Sequence, residues 1–253
     1  MTPMPNFRAP APWRTAEPRA AAERAERIVL RTVRRGAETI PWPPRTARID
    51  ADVFAVAPAA TPAVAAEPNT EPFLVELDVP PGADFAAADF TPTLRPIDGP
   101  VGRTMVELAR RCERGRRALA TGDTATVLWT GLVAEERALR ARATRIACAK
   151  PGTRDALFRR LLLSADYIQA HYAEPLKVEL LAEVSNLSPY HYARLFTLVM
   201  DVTPHAFLVR KRVAVARRLL ACGVARGEAA EQSGFGSRST LFRHLRPAAA
   251  ASR

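Results

Sequence analysis

Through the last hundred positions, apolar residues recur at three- and four-residue steps and break at cap or turn residues, the pattern of consecutive amphipathic helices. Leu157, Leu161, Ala165, Ile168 and Tyr172 share one face, and Pro175 closes that helix. Residues 177–184 supply the next, through Leu180, Leu181 and Val184. Ser185, Asn186 and Leu187 read as a three-residue turn whose leucine plugs the angle between helices. Ser188 then takes the N-cap and Pro189 the first helical position, where its missing N–H costs nothing. The helix that follows buries Tyr192, Leu195 or Phe196, and Val199, so Tyr190, His191, Ala193, Arg194 and Thr197 face outward. Thr203 and Pro204 open another helix by the same logic, and its 18 residues to Ala221 span about 27 Å. A second copy of the turn pattern occupies residues 228–243, around Gly234 and Phe235.

The N-terminal half is less regular. Val101, Met105, Leu108, Cys112 and Leu119 predict a helix, and Asp123 or Thr124 caps a second one through about residue 147, with Val127, Leu128, Leu132 and Leu139 on its apolar side. Joined at Thr121 and Gly122, the two would show a stripe that packs either on the preceding strands or on a second chain; the pattern leaves both open. Pro151 and Gly152 break the chain before the C-terminal unit. Upstream, residues 47–56 and 73–79 are strand-like, and two strands alone do not make a stable sheet. Residues 1–45 read as a basic, proline-rich arm, poorly ordered apart from a short helix between Glu17 and Arg35.

Composition sharpens that division. Of 22 prolines, 17 fall in the first 100 residues, whereas all four histidines and all four tyrosines lie beyond residue 160. The chain carries a net charge of +11, which attracts polyanions and, for nucleic acid, draws on counterion release. Cys112, Cys148 and Cys222 are widely spaced and form no CxxC or Cys/His arrangement, which implies neither a disulfide framework nor a metal site. With no apolar run of membrane-spanning length and no signal peptide, a cytoplasmic protein without membrane contact is expected. His191 and His205 have no carboxylate pair or cysteine at a spacing that builds a nucleophile, and no glycine loop cradles a phosphate, so neither an enzyme nor a cofactor is expected.

The outward face suits a DNA groove. Arg194 can contact guanine O6 and N7 in bidentate fashion, Tyr190 can pack on a sugar or a thymine methyl, and His191 can donate to a phosphate. Residues 153–246 resemble the DNA-binding domain of the AraC/XylS family of bacterial transcription regulators. The resemblance rests on Ile168, Leu181, Ala182, Leu187, Ser188, Arg194, Leu195, Phe196, Thr203, Pro204, Arg212, Ala216, Leu219, Leu220, Gly234, Phe235, Ser239 and Arg243.

It implies a seven-helix double helix-turn-helix domain at residues 153–253 and an N-terminal sensor or dimerisation domain; with the few short strands and the helical linker pair read at residues 46–150, the expected chain is mainly α. It also implies recognition residues at Tyr190, Ala193 and Arg194 in the first unit and at Arg238, Ser239, Thr240, Phe242 and Arg243 in the second, and the N-cap and outward face of the first reading helix add Ser188, His191 and Thr197 to the expected DNA contacts. The expected partners are double-stranded promoter DNA, RNA polymerase as a candidate and an unidentified small-molecule effector, with a second copy held through residues 101–147 as one outcome of the helical stripe there. A shortened paralogue that works through protein contacts is the competing reading.

Several positions depart from the family pattern. Asp201 stands where a glycine is usual. Arg226 and Ala229 replace large aliphatics. Phe242 takes a position that is usually small and polar, and Leu245 replaces a phenylalanine. A Pro/Ala tail stands in place of the last helix. The second unit is therefore expected to be the less stable one.

Overall fold

The computed structural model describes residues 27–42, 45–57, 65–112, 115–148 and 150–245. Among the described residues its N-terminal half holds eight strands: β1 (Arg27–Arg35), β2 (Ala37–Trp42), β3 (Arg45–Asp50), β4 (Val53–Ala57), β5 (Ala65–Ala66), β6 (Glu71–Asp78), β7 (Thr93–Pro96) and β8 (Arg117–Leu119). They form a five-stranded sheet in the order β7-β4-β1-β6-β8 and a three-stranded sheet in the order β3-β2-β5. Pairing is antiparallel except between β6 and β8. Helices α1 (Pro100–Arg111) and α2 (Gly122–Ala143) cover the larger sheet, and Ile28, Leu30, Phe54, Phe73, Val75 and Leu77 meet Val101, Met105, Leu128 and Leu132 there.

This half corrects the reading of a few short strands. Residues 27–42, expected in a poorly ordered arm and partly in a helix, are β1 and β2; the remainder of the arm lies outside the described residues. Ile28, Val29, Thr32 and Val33 are β-branched and favour a half-buried pleat over a helix. Arg27, Arg31 and Arg34, which suggested disorder, have partners instead. Arg31 makes two bonds to Glu38, at 2.5 and 2.6 Å, with both residues buried, and such a bidentate pair keeps charge tolerable inside a fold. The run at residues 47–56 is two strands with a turn at Ala51 and Asp52. The first linker helix ends at Arg111, and Leu119 belongs to β8. Of the two outcomes left open for the helical stripe, Leu128 and Leu132 take internal packing, while Val127 points outward at 51% exposure.

The C-terminal half is α3 (Pro151–Ala170), α4 (Val178–Val184), α5 (Pro189–Met200), α6 (Pro204–Ala221), α7 (Arg226–Gln232) and α8 (Arg238–Leu245). A seventh helix would fall after Leu245, outside the described residues. Leu161, Ile168, Tyr192, Phe196 and Val199 build the larger core. Within it the Tyr192 hydroxyl is 2.6 Å from that of Ser164, and burial holds the phenol above its ordinary range. A smaller core joins Ala216 of α6 to Ala230, Phe235 and Leu241.

Polar ties fasten the two halves. β7 is an edge of the larger sheet, where unpaired backbone groups need a partner. Asp166 of α3 accepts from the Leu94 N–H and Gln169 donates to the Leu94 carbonyl, each at 3.0 Å, so one helix face stands in for a missing strand. From the β3–β4 turn, Asp50 accepts from Lys211 at 3.0 Å and Asp52 accepts from Arg218 at 2.9 Å, both cations belonging to α6. The Lys211 ammonium also sits 5.1 Å from the Tyr172 ring centroid. Burial first, and then the Asp50 charge, push the Tyr172 phenol up to about 12. Beyond the end of α2, Arg145 donates to Asp201 at 2.6 Å.

Candidate nucleic-acid interface

The same turn is built twice. After α4, Ser185 N–H donates to the Leu181 carbonyl, Asn186 N–H to Glu183 and Leu187 N–H to Ala182, at 2.9–3.1 Å. After α7, Ser233 N–H donates to Ala229, Gly234 N–H to Glu231 and Phe235 N–H to Ala230, at 2.8–3.1 Å. In both, the buried serine hydroxyl also donates four residues back, to Leu181 or to Ala229. The middle residue is left-handed in both, with φ of 51° at Asn186 and 78° at Gly234. The apolar residue that follows, Leu187 or Phe235, packs into the adjoining core.

Glycine is required only in the second turn. A Cβ on Gly234 would lie 2.8 Å from the Ala173 Cα and the Tyr172 carbonyl oxygen, whereas Asn186 is exposed. Arg212 reinforces that close approach by donating to the carbonyls of Tyr172 and Glu174, each at 2.7 Å.

The next helix starts one residue later in the second copy. Tyr192 N–H donates to Ser188, and its counterpart Leu241 N–H donates to Ser237. Ser237 also caps α8 with its side chain, which accepts from the Thr240 N–H at 3.2 Å and sits 3.0 Å from the Thr240 hydroxyl. That offset pairs Ala193 with Phe242 and Arg194 with Arg243.

The faces left outward contain most of the residues named from the sequence. On α5, Tyr190 is 79% exposed, Ser188, His191, Arg194 and Thr197 are exposed, and Ala193 is half-buried. The Thr197 hydroxyl donates to the Ala193 carbonyl at 2.8 Å. On α8, Arg238, Ser239 and Arg243 are exposed and Thr240 is half-buried. Among the described residues no carboxylate lies within ion-pair distance of Arg194, Arg238 or Arg243. Phe242 is half-buried, with the Arg226 guanidinium 5.3 Å from its ring centroid. The sequence named Phe242 and Arg226 as two separate departures; the structure stacks one on the other. No linear pattern signalled that pair, because its members sit on different helices.

Asp201, at φ 59°, is the left-handed C-cap of α5. Its hydrogen bond from Arg145 holds its carboxyl below the usual carboxylate range. An aspartate thus occupies a glycine-type position where its side chain has a cation to meet.

Residues 181–251 match the family model of a helix-turn-helix domain. Over 76 residues the chain is 34% identical to the uncharacterized HTH-type transcriptional regulator YbfI of Bacillus subtilis (strain 168), covering 30% of this chain. It spans 28% of the length of that relative. The crystal structure of the DNA-binding domain of AdpA, a global transcriptional factor, in complex with a target DNA is 29% identical, over 36% of this chain and 84% of that one, with a TM-score of 0.34. Among the described residues no helix is long and apolar enough to cross a membrane.

Proposed function

We propose that the AraC-type helix-turn-helix domain matched at residues 181–251 makes this chain a DNA-binding transcription regulator that lays α5 and α8 in successive major-groove segments. The observation that carries this reading is the repeated turn: each copy buries one side of the next helix and turns an exposed arginine, Arg194 or Arg243, outward at the equivalent position. Helix α6 joins the two copies with 18 residues, about 27 Å, close to the roughly 34 Å repeat of B-DNA. Ser188, Tyr190, His191, Ala193, Arg194 and Thr197 would contact one segment, and Arg238, Ser239, Thr240, Phe242 and Arg243 the next. Residues 46–150 would serve as the sensing or dimerising part, with RNA polymerase and a small effector as partners that the family resemblance supplies.

Fragments selected by the full chain from genomic DNA, at stated salt, test the reading. Arg194→Ala should cost about 1–3 kcal/mol of preference for a selected fragment over a mixed-sequence duplex, and Arg243→Ala a similar or smaller amount. If neither change alters that preference, groove reading is wrong and the protein-contact alternative takes its place.

A further inference from the structure

The second helix pair holds a cation that the first lacks. In the repeated turn Arg226, the first residue of α7, corresponds to Val178 of α4, and Phe242 corresponds to Ala193. Both positions of the second copy differ from the first together, and the two new side chains meet, with the guanidinium carbon 5.3 Å from the ring centroid. An exposed arginine otherwise wanders among many rotamers, so seating it on an aromatic face lowers the entropy it loses on contact. A guanidinium engaged through its face keeps its N–H donors in its own plane, open to an acceptor. Among the described residues no carboxylate takes them.

The place of this pair on α8 gives it a role. Successive helical residues turn by about 100°. Leu241 and Leu245 pack into the small core, which puts Ser239 and Arg243 on the opposite side and Phe242 on the flank between. Arg226 is therefore held beside the outward face, and for a helix lying in a major groove that flank runs along the phosphate rows.

We propose that Arg226 is a phosphate contact of the second unit and that Phe242 positions it, with no base reading by Phe242 itself. This rests on the DNA-binding reading above. It adds a contact from outside the two reading helices, of the sequence-independent class that sets register.

The test measures binding of the full chain to a mixed-sequence duplex of about three helical turns, between about 50 and 200 mM salt. Arg226→Gln keeps a planar amide on the ring and removes the charge. It should lower the slope of log affinity against log salt by about 0.9 and weaken a selected fragment and the mixed duplex by the same factor. Arg226→Lys should keep the wild-type slope. Phe242→Leu should weaken both duplexes by a factor of about 2–5, and in the Arg226→Gln background it should add nothing. Unchanged circular-dichroism melting separates these effects from loss of fold. A wild-type slope in Arg226→Gln overturns the phosphate contact. If Arg194→Ala or Arg243→Ala still lowers fragment preference in the same assay, only this contact has failed; if both are also silent, the DNA reading fails with it.

Discussion

The two helix pairs share a turn and differ in what stands behind it. Behind the first lie Leu161, Ile168, Tyr192, Phe196 and Val199, with Leu181 closing α4 over them. Behind the second lie Ala216, Ala230, Phe235 and Leu241, and Ala229 takes the place of Leu181. Three residues, a serine, a left-handed residue and an apolar plug, are enough to copy the hydrogen bonds. They do not copy the stability, because that scales with the apolar surface removed from water. One motif therefore exists in this chain at two strengths.

That contrast can be broken by measurement. Phe196→Ala should have the largest effect, a global loss of about 3–5 kcal/mol in urea titration, since Phe196 is fully buried in the larger core. Leu241→Ala should cost about 2–3 kcal/mol and be confined to the second pair. Hydrogen exchange would then show α7 and α8 amides opening while α4 and α5 stay protected; equal loss of protection in both would mean that the pairs unfold as one. The left-handed position should respond with opposite signs in the two copies. Gly234→Ala should lower stability by about 1–2 kcal/mol through the positive φ and its close neighbours, whereas Asn186→Gly should raise it by less than about 1 kcal/mol. Differential scanning calorimetry of both variants checks this.

Asp201→Gly should leave the melting temperature near its wild-type value at neutral pH, because relief of the left-handed strain offsets the lost contact with Arg145. The pH dependence has a definite sign. The folded-state pKa of Asp201 is depressed, so its contribution is present above the ordinary carboxylate range and disappears as pH falls through the lowered value. The glycine variant should lack that acid limb.

The C-terminal half was legible because helical period, caps and prolines agree: Ser188 with Pro189 and Thr203 with Pro204 open helices where the pattern places them. The outward arginines followed from the same period. In the N-terminal half, the signal for β1 is present in Ile28, Val29, Thr32 and Val33, but a run containing Arg31, Arg34 and Arg35 resembles a solvated tail until Glu38 is known to meet Arg31. Pairings of this kind join positions on different strands, and composition cannot express them. The same limit hid Arg226 on Phe242. Conversely, the apolar stripe of α2 was visible, while its direction, toward the sheet, depended on strands that had gone uncounted.

Asp50 and Asp52 grip α6, the helix shared by both pairs, through Lys211 and Arg218. Coupling between two sites is a single free energy and acts equally in both directions. A displacement of the β3–β4 turn would act on α6 through these two contacts, and a displacement of α6 would act on the turn through the same two.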